Sequence, residues 1–158
     1  MSVAFRRDSD EEHLEPRFAL PIPPGPNLVT ARGYALIEAR NAELEAQFAE
    51  TLAEDERKAV LRDANYWRSR LASAHLAPTP DGRTVAIGTR VTIARDGQPR
   101  TLDIVGHDES DPAANRLAFS APLARALLGS EVGDEVELPG ADSVAVVIAI
   151  GLIPTADR

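Results

Sequence analysis

Apolar residues recur at helical spacing through the middle of the chain and predict two amphipathic helices. The hydroxyl of Thr30 can cap the first helix by accepting hydrogen bonds from the N–H groups of the next turn. The apolar stripes comprise Tyr34, Ile37, Leu44, Phe48 and Leu52 in the first helix, and Val60, Ala64, Trp67, Leu71 and Ala74 in the second. Steps of three and four residues keep each stripe on one face. The sequence therefore predicts an antiparallel helical hairpin, a short coiled coil, over residues 28–77.

The charges of the two arms are complementary. The first arm carries mostly Glu and the second carries mostly Arg and Lys, so pairing between the arms is favoured, although each exposed pair contributes only about 0–1 kcal/mol. Arms of roughly 20 residues would be about 30 Å long. The turn is expected near residues 53–56, so the tip carries the carboxylates of Glu54, Asp55 and Glu56.

The pattern changes from helical to alternating after a linker at residues 78–84, where Pro78, Pro80, Asp81 and Gly82 favour turns. Alternation at residues 85–93 predicts strand, Asp96-Gly97 predicts a hairpin turn, and residues 101–105 predict the returning strand. Four further elements are expected: a strand at 117–119, a short helix opened by Pro122 and ended by Gly129, and strands at 136–138 and 144–150. The chain is thus of the α+β class, with an antiparallel sheet domain over residues 85–158.

The first 27 residues form a leader with mixed charges and a proline cluster at Pro21, Pro23, Pro24 and Pro26. Proline lacks an N–H and fixes its own φ, so the leader is expected to run extended or disordered. Two interpretations stay open: a disordered tail, or a short peptide that packs on or reaches a partner.

Composition narrows the classes of function. A formal charge of -8 argues against autonomous sequence-specific binding of nucleic acid, and the absence of cysteine excludes thiol chemistry. The longest apolar run, residues 144–150, is far shorter than the roughly 20 residues of a membrane span, which predicts a cytoplasmic protein without a membrane association. The sequence has no catalytic triad, phosphate-binding glycine loop or metal-ligand spacing, so we expect neither an enzyme nor a cofactor.

The C-terminal half carries a resemblance to a known family. Residues 119–134, Phe-Ser-Ala-Pro-Leu-Ala-Arg-Ala-Leu-Leu-Gly-Ser-Glu-Val-Gly-Asp, are similar to the C-terminal signature of the bacterial GreA/GreB transcription elongation factors. Residues 104–111 resemble the earlier strand and acidic loop of that family, and residues 88–92 resemble the strand that opens its domain. The leader and helix start, residues 2–10 and 27–30, are similar to those of some GreB-like proteins.

The resemblance implies a C-terminal domain of FKBP-like fold that binds the rim of the RNA polymerase secondary channel, with the coiled coil entering that channel. The fold does not imply prolyl isomerase activity. The loop that binds the rim commonly reads Asp-Ser-Pro or Asn-Ser-Pro in the family, and its counterpart here is Ser120, Ala121 and Pro122. Only the proline is retained.

At the coil tip, family members carry a motif like Asp-Leu-x-Glu-Asn-Ala-Glu-Tyr, whose carboxylates help to hold Mg²⁺ in the polymerase active centre during cleavage of backtracked RNA. Carboxylates suit this role because Mg²⁺ prefers oxygen ligands. The motif is missing here and the coil is shortened, which argues against stimulation of cleavage. Glu54, Asp55 and Glu56 stand at the tip instead, but an acidic turn also serves to solubilise a hairpin and to start a helix.

The missing motif leaves an alternative function open. The chain also resembles the short-coiled regulators of nucleoside diphosphate kinase in the same superfamily, which bind a partner without promoting cleavage. Two other features are interpreted as structural: Trp67 as part of the hairpin core, and the acidic group Asp108, Glu109 and Asp111 as a solvated turn rather than a cation site.

Overall fold

The computed structural model describes residues 19–50 and 53–154. These residues form two units, one containing residues 37–73 together with the end of the leader, and the other containing residues 26–36 and 74 onwards. The elements are β1 (Leu28–Val29), α1 (Ala31–Ala49), α2 (Glu54–Ser73), β2 (His75–Leu76), β3 (Thr89–Arg95), β4 (Gln98–Val105), β5 (Arg116–Ala118), α3 (Pro122–Leu127), β6 (Glu135–Glu137) and β7 (Val144–Leu152). None of the described helices is long and apolar enough to span a membrane.

The first unit is the helical hairpin formed by most of α1 and all of α2. Its apolar seam matches the predicted stripe: Ile37, Leu44 and Ala64 are buried, and Phe48, Val60, Trp67 and Leu71 are half-buried. Tyr66 and Trp67 add an edge-to-face ring pair at 5.2 Å. Leu52, the last predicted position of the first stripe, lies outside the described residues. The predicted hairpin of two amphipathic helices is confirmed.

Side-chain contacts between described residues of the two arms add to the apolar seam. The Arg68 guanidinium donates to the Glu45 carboxylate at 3.2 Å, but both side chains are more than half exposed, so the pair contributes little stability. Closer to the tip, the guanidinium of Arg57 lies 4.8 Å from the centre of the Phe48 ring, a cation–π contact. Packing of the seam therefore supplies most of the hairpin's stability.

The second unit contains a small parallel sheet that the sequence pattern did not predict. β1 pairs with β2, Leu28 opposite His75 and Val29 opposite Leu76. The pairing is extended by a hydrogen bond from the N–H of His75 to the carbonyl of Asn27, a buried residue. The chain therefore enters the first helix and leaves the second through paired backbone.

The main sheet of this unit has five strands in the order β5-β4-β3-β7-β6. β3 and β4 form the predicted hairpin, and the positive φ angles of Asp96 (50°) and Gly97 (76°) give the turn the twist that such hairpins need. α3 covers one face of the sheet with its buried residues Ala124 and Leu127. The buried core also includes Val91, Ile93, Leu102, Ile104 and Val147.

Two predicted strand features are wrong. The sheet is not wholly antiparallel, because β5 runs parallel to β4: residues 106–115 cross over in two 3₁₀ turns and bring Arg116 beside Asp103. The apolar residues at 85–87 do not form a strand with β3. The Val85 side chain is part of the buried core, and its backbone pairs with Gly129 and Ser130 after α3. Residues 85–87 therefore belong to this loop pairing rather than to the sheet.

Candidate functional site

The loop formed by Ser120, Ala121 and Pro122 joins β5 to α3. Its shape is held by the backbone: the N–H of Ala121 bonds to the carbonyl of Ala118, and the Ala121 carbonyl accepts the first helical bond from Arg125, both at 2.9 Å. No side chain caps the helix, and Pro122 occupies its start, where a missing N–H costs nothing. The loop keeps its turn although two polar side chains of the family pattern are absent.

The loop presents a small and uncharged surface. Ser120 and Pro122 are exposed, and Ala121 is half-buried. The helix behind the loop is rigidly placed, because Leu127 is fully buried and Gly129, in the left-handed conformation at φ 84°, donates to the carbonyl of Val85 at 2.8 Å. Such an arrangement offers shape and apolar contact to a partner, not charge.

An apolar cavity of about 460 Å³ lies beside this loop, a feature that sequence reasoning missed. It is open to solvent and is lined by residues from four separate parts of the second unit, so no local sequence pattern predicts it. Its main lining residues are Leu28, Pro78, Pro80, Ile87, Phe119 and Leu128. Leu128, one of these lining residues, is 37% exposed.

The three predicted tip carboxylates lie in the first turn of α2, although the sequence placed them in the turn between the two helices. All three are exposed, and negative charge at a helix N-terminus is stabilised by the free N–H groups there. Glu54 is also 3.6 Å from the Lys58 ammonium. Within the described residues, no group of three or more acidic or histidine side chains is arranged to hold a metal ion.

The interpretation of Glu109 as part of a solvated acidic turn is wrong. Glu109 ends a 3₁₀ turn, and its side chain is only 2% exposed. Its carboxylate accepts hydrogen bonds from the Thr30 hydroxyl and from the Arg32 guanidinium. Asp111 accepts a bond from the N–H of Ala113 and so acts locally as a cap. The acidic group is therefore divided among structural roles.

Comparison with known proteins identifies the domain that carries the loop. Residues 79–151 match the family model described as transcription elongation factor, GreA/GreB, C-terminal. This part of the chain is therefore similar to the C-terminal domain of the GreA/GreB family. Transcription elongation factor GreA of Sinorhizobium medicae is 36% identical over 73 residues, 44% of this chain and 46% of that relative. GreA of Legionella pneumophila is 41% identical over 69 residues, 41% of this chain and 43% of that relative.

The chain spans less than half the length of these GreA relatives. Two solved structures align over more of it. A GreA/GreB factor from Nitrosomonas europaea covers 81% of this chain and 99% of its own at 19% identity and a TM-score of 0.41. The GreA homologue Gfh1 of Thermus thermophilus covers 80% and 99% at 16% identity and a TM-score of 0.40. Scores at this level do not establish a shared overall arrangement.

Proposed function

We propose that the protein is a regulator of transcription elongation that binds RNA polymerase at the rim of its secondary channel. The observation that carries this proposal is the match of residues 79–151 to the GreA/GreB C-terminal domain, which includes the loop Ser120–Pro122. The exposed proline at a backbone-held turn and the adjacent apolar cavity support this loop as the contact. The factor acts by binding, not as an enzyme, and the FKBP-like relationship of the domain belongs to the same proposal.

The hairpin would enter the channel with little or no stimulation of transcript cleavage. Residues 50–56 read Glu-Thr-Leu-Ala-Glu-Asp-Glu and lack the family's tip motif. The carboxylates of Glu54, Asp55 and Glu56 belong to the first turn of α2, where they stabilise the helix start. Their chemistry suits a hard cation, but cleavage requires them to reach the polymerase's catalytic Mg²⁺ with the right geometry.

Binding is tested by titrating core RNA polymerase with the unmodified chain and with two loop variants, Pro122→Ala and Ala121→Asp. Ala121→Asp should weaken binding at least about tenfold, because a new charge at the contact must lose its water, and tenfold corresponds to about 1.4 kcal/mol. Ala141→Asp is the matched control, since Ala141 is an exposed alanine in the turn between β6 and β7. Equal affinity for all variants, each shown to be folded by circular dichroism, would remove the loop from the interface.

Cleavage is tested on backtracked elongation complexes by following shortened transcripts. The tip variant replaces Glu54, Asp55 and Glu56 by Ala, and the control replaces the exposed Glu135, Glu137 and Asp142, which removes the same charge from the other unit. We expect weak cleavage with all three proteins and binding close to normal. Strong cleavage by the unmodified chain that only the tip variant abolishes would show instead that the full cleavage mechanism operates.

The second candidate is a non-cleaving interaction module like the short-coiled regulators of nucleoside diphosphate kinase. The observation that favours it is the same absence of the tip motif, together with arms limited to residues 31–49 and 54–73. The two candidates differ in partner, so pull-downs with purified core polymerase and with purified kinase separate them. Retention of the kinase and not of the polymerase would reverse the order of the proposals.

A further inference from the structure

The small parallel sheet of the second unit has one covered edge and one open edge. On the β1 side, the backbone turn at Gly106 lies so close that a Cβ there would be 2.6 Å from the carbonyl oxygen of Leu28. On the other side, the sheet of the described residues ends with β2, because it consists of β1 and β2. Leu76, in β2, is 62% exposed. The outer edge of β2 is therefore accessible.

The backbone of Leu76 points toward this open edge. The N–H of His75 donates to the carbonyl of Asn27 at 2.9 Å, and the N–H of Ala77 donates to the carbonyl of Val29 at 2.8 Å. Successive residues of a strand direct their N–H and C=O groups to opposite sides. The N–H and C=O of Leu76 therefore face away from β1, and none of the backbone bonds among the described residues occupies them. They are available to pair with a further strand.

The apolar cavity opens on one face of the same small sheet. Leu28 lines the cavity and pairs with His75, and Ala77 lines it too. Because side chains alternate between the two faces of a strand, residues 75 and 77 share the face of Leu28. Ala77, the residue after β2, therefore belongs both to the open edge and to the cavity wall. All the residues that line the cavity lie in the sheet-containing unit.

The chemistry of these two features fits an extended peptide with an apolar side chain. Pairing along β2 can only be short, because Pro78 has no N–H and ends the row of donors. The cavity, about 460 Å³, is lined mainly by apolar side chains, so it accepts an uncharged group. Asp81 is a carboxylate among the lining residues, but it already accepts bonds from the N–H groups of Arg83 and Thr84. Backbone pairing would hold the peptide, and the cavity would select its side chain.

We propose that the outer edge of β2 and the adjoining cavity form a docking site for an extended, apolar segment of a protein partner. The segment adds a third strand to the small sheet, and Leu76 supplies the backbone donor and acceptor that it pairs with. The cavity receives one apolar side chain of the segment. This site goes beyond the proposed function, because it is defined by the extended backbone and apolar side chain of its ligand and does not depend on polymerase.

The experiment follows the amide signals of the full chain by NMR during titration with the peptide acetyl-Thr-Val-Thr-Leu-Thr-Lys-amide. Binding should shift the N–H signal of Leu76 and slow its exchange with solvent, and it should shift the signals of Ile87 and Phe119, which line the cavity. The control peptide has Thr in place of Val and Leu, so it keeps the backbone groups and loses the apolar side chains. It should bind about tenfold more weakly.

Two changes at one position separate the backbone contact from the side chain. Leu76→Pro removes the outward N–H and leaves the bonds that His75 and Ala77 make to β1, and proline is tolerated at such an edge. Leu76→Ala shortens the same side chain and keeps the N–H. We expect Leu76→Pro to bind the peptide about fivefold more weakly than Leu76→Ala, the effect of one lost hydrogen bond. Ala77→Leu fills part of the cavity and should remove the preference for the apolar peptide. Circular dichroism establishes that each variant is folded.

Equal binding by Leu76→Pro and Leu76→Ala, or equal affinity of the unmodified chain for the two peptides, would overturn the proposal. So would a Leu76 signal that depends on protein concentration without peptide, because a second copy of the chain would then occupy the edge. The titration contains no polymerase. If the peptide binds but the unmodified chain does not bind polymerase, the docking site stands and the proposed function fails; if polymerase binds and the peptide shifts no signal, the reverse holds.

Discussion

Replacing Gly33 by Ala tests the packing of the buried carboxylate with a single methyl group. In most helices this substitution is favourable by up to about 1 kcal/mol, because glycine loses more backbone freedom on folding. Here the new Cβ would lie 2.7 Å from Glu109 Oε1 and 3.4 Å from the Thr30 hydroxyl oxygen. The carboxylate must move away or the helix start must shift.

Either response costs more than the helix gains. Overpacking a filled site typically costs about 1–3 kcal/mol, and losing a hydrogen bond to a charged group costs about 1.5–3 kcal/mol. Because Gly33 lies in the first turn, the helix-propensity gain is below its full value. We therefore expect Gly33→Ala to lower the free energy of unfolding by about 1–2 kcal/mol, the opposite sign from an ordinary helical glycine.

The assay is urea unfolding followed by circular dichroism, in a cycle with Glu109→Ala. Truncating Glu109 opens the space next to Gly33, so adding the methyl group in that background should be neutral or stabilising by up to about 1 kcal/mol. This reversal of sign isolates the contact from any general effect of the substitution. The reasoning fails if Gly33→Ala stabilises the unmodified chain, or if its cost is the same in both backgrounds.

Three further outcomes are expected. Leu44→Ala should lower hairpin stability by about 2–5 kcal/mol in urea unfolding, because Leu44 is only 2% exposed. Leu61 is 39% exposed, so Leu61→Ala should cost well under half as much, and equal costs would show that the seam is misassigned. Deleting residues 1–18 should leave the melting temperature nearly unchanged, and extending the deletion through Asn27 should lower it, because the N–H of His75 then loses its acceptor. Hydrogen bonds from the N–H groups of Arg83 and Thr84 hold the pKa of Asp81 below its ordinary value of 3.8. The stability that Asp81 contributes is therefore present above pH 3.8 and is lost as the pH falls through the lowered pKa. Asp81→Ala should destabilise the protein at pH 7 and have no effect in strong acid, and a pH-independent cost measured by urea unfolding would contradict this.

The sequence pattern predicted the helices and strands that are determined by residues close to them in the chain. The helices follow from the stripe that includes Ile37, Leu44 and Ala64, and the β3–β4 hairpin follows from Asp96-Gly97, because both signals lie within a few residues of the structure that they specify. The parallel pairing of β4 with β5 had no such signal. It depends on how residues 106–115 cross over, and alternation is the same in parallel and antiparallel neighbours.

The candidate loop was found by its resemblance, but its surroundings were not. The cavity beside it combines Leu28 with Pro80 and Phe119, which are distant in sequence, so only folding brings them together. Glu109 was misjudged for the same reason, since its partner Thr30 lies 79 residues away. A signal for it did exist: a glycine three residues after a capping threonine is a poor helix former, and its presence indicates that something must pass close by.

The tip and the start of the hairpin are under different physical control, and this difference explains why the family's tip motif can be absent without loss of the fold. Glu54, Asp55 and Glu56 are exposed, so exchanging them alters what the tip presents while changing stability by little. Thr30 and Glu109 are buried, and removing either one leaves a polar group of the other without its hydrogen-bond partner and without access to water. Packing therefore does not dictate the chemistry of the tip. Under the proposed function, exchanges at Glu54, Asp55 and Glu56 would alter what the hairpin presents to its partner more than they alter stability.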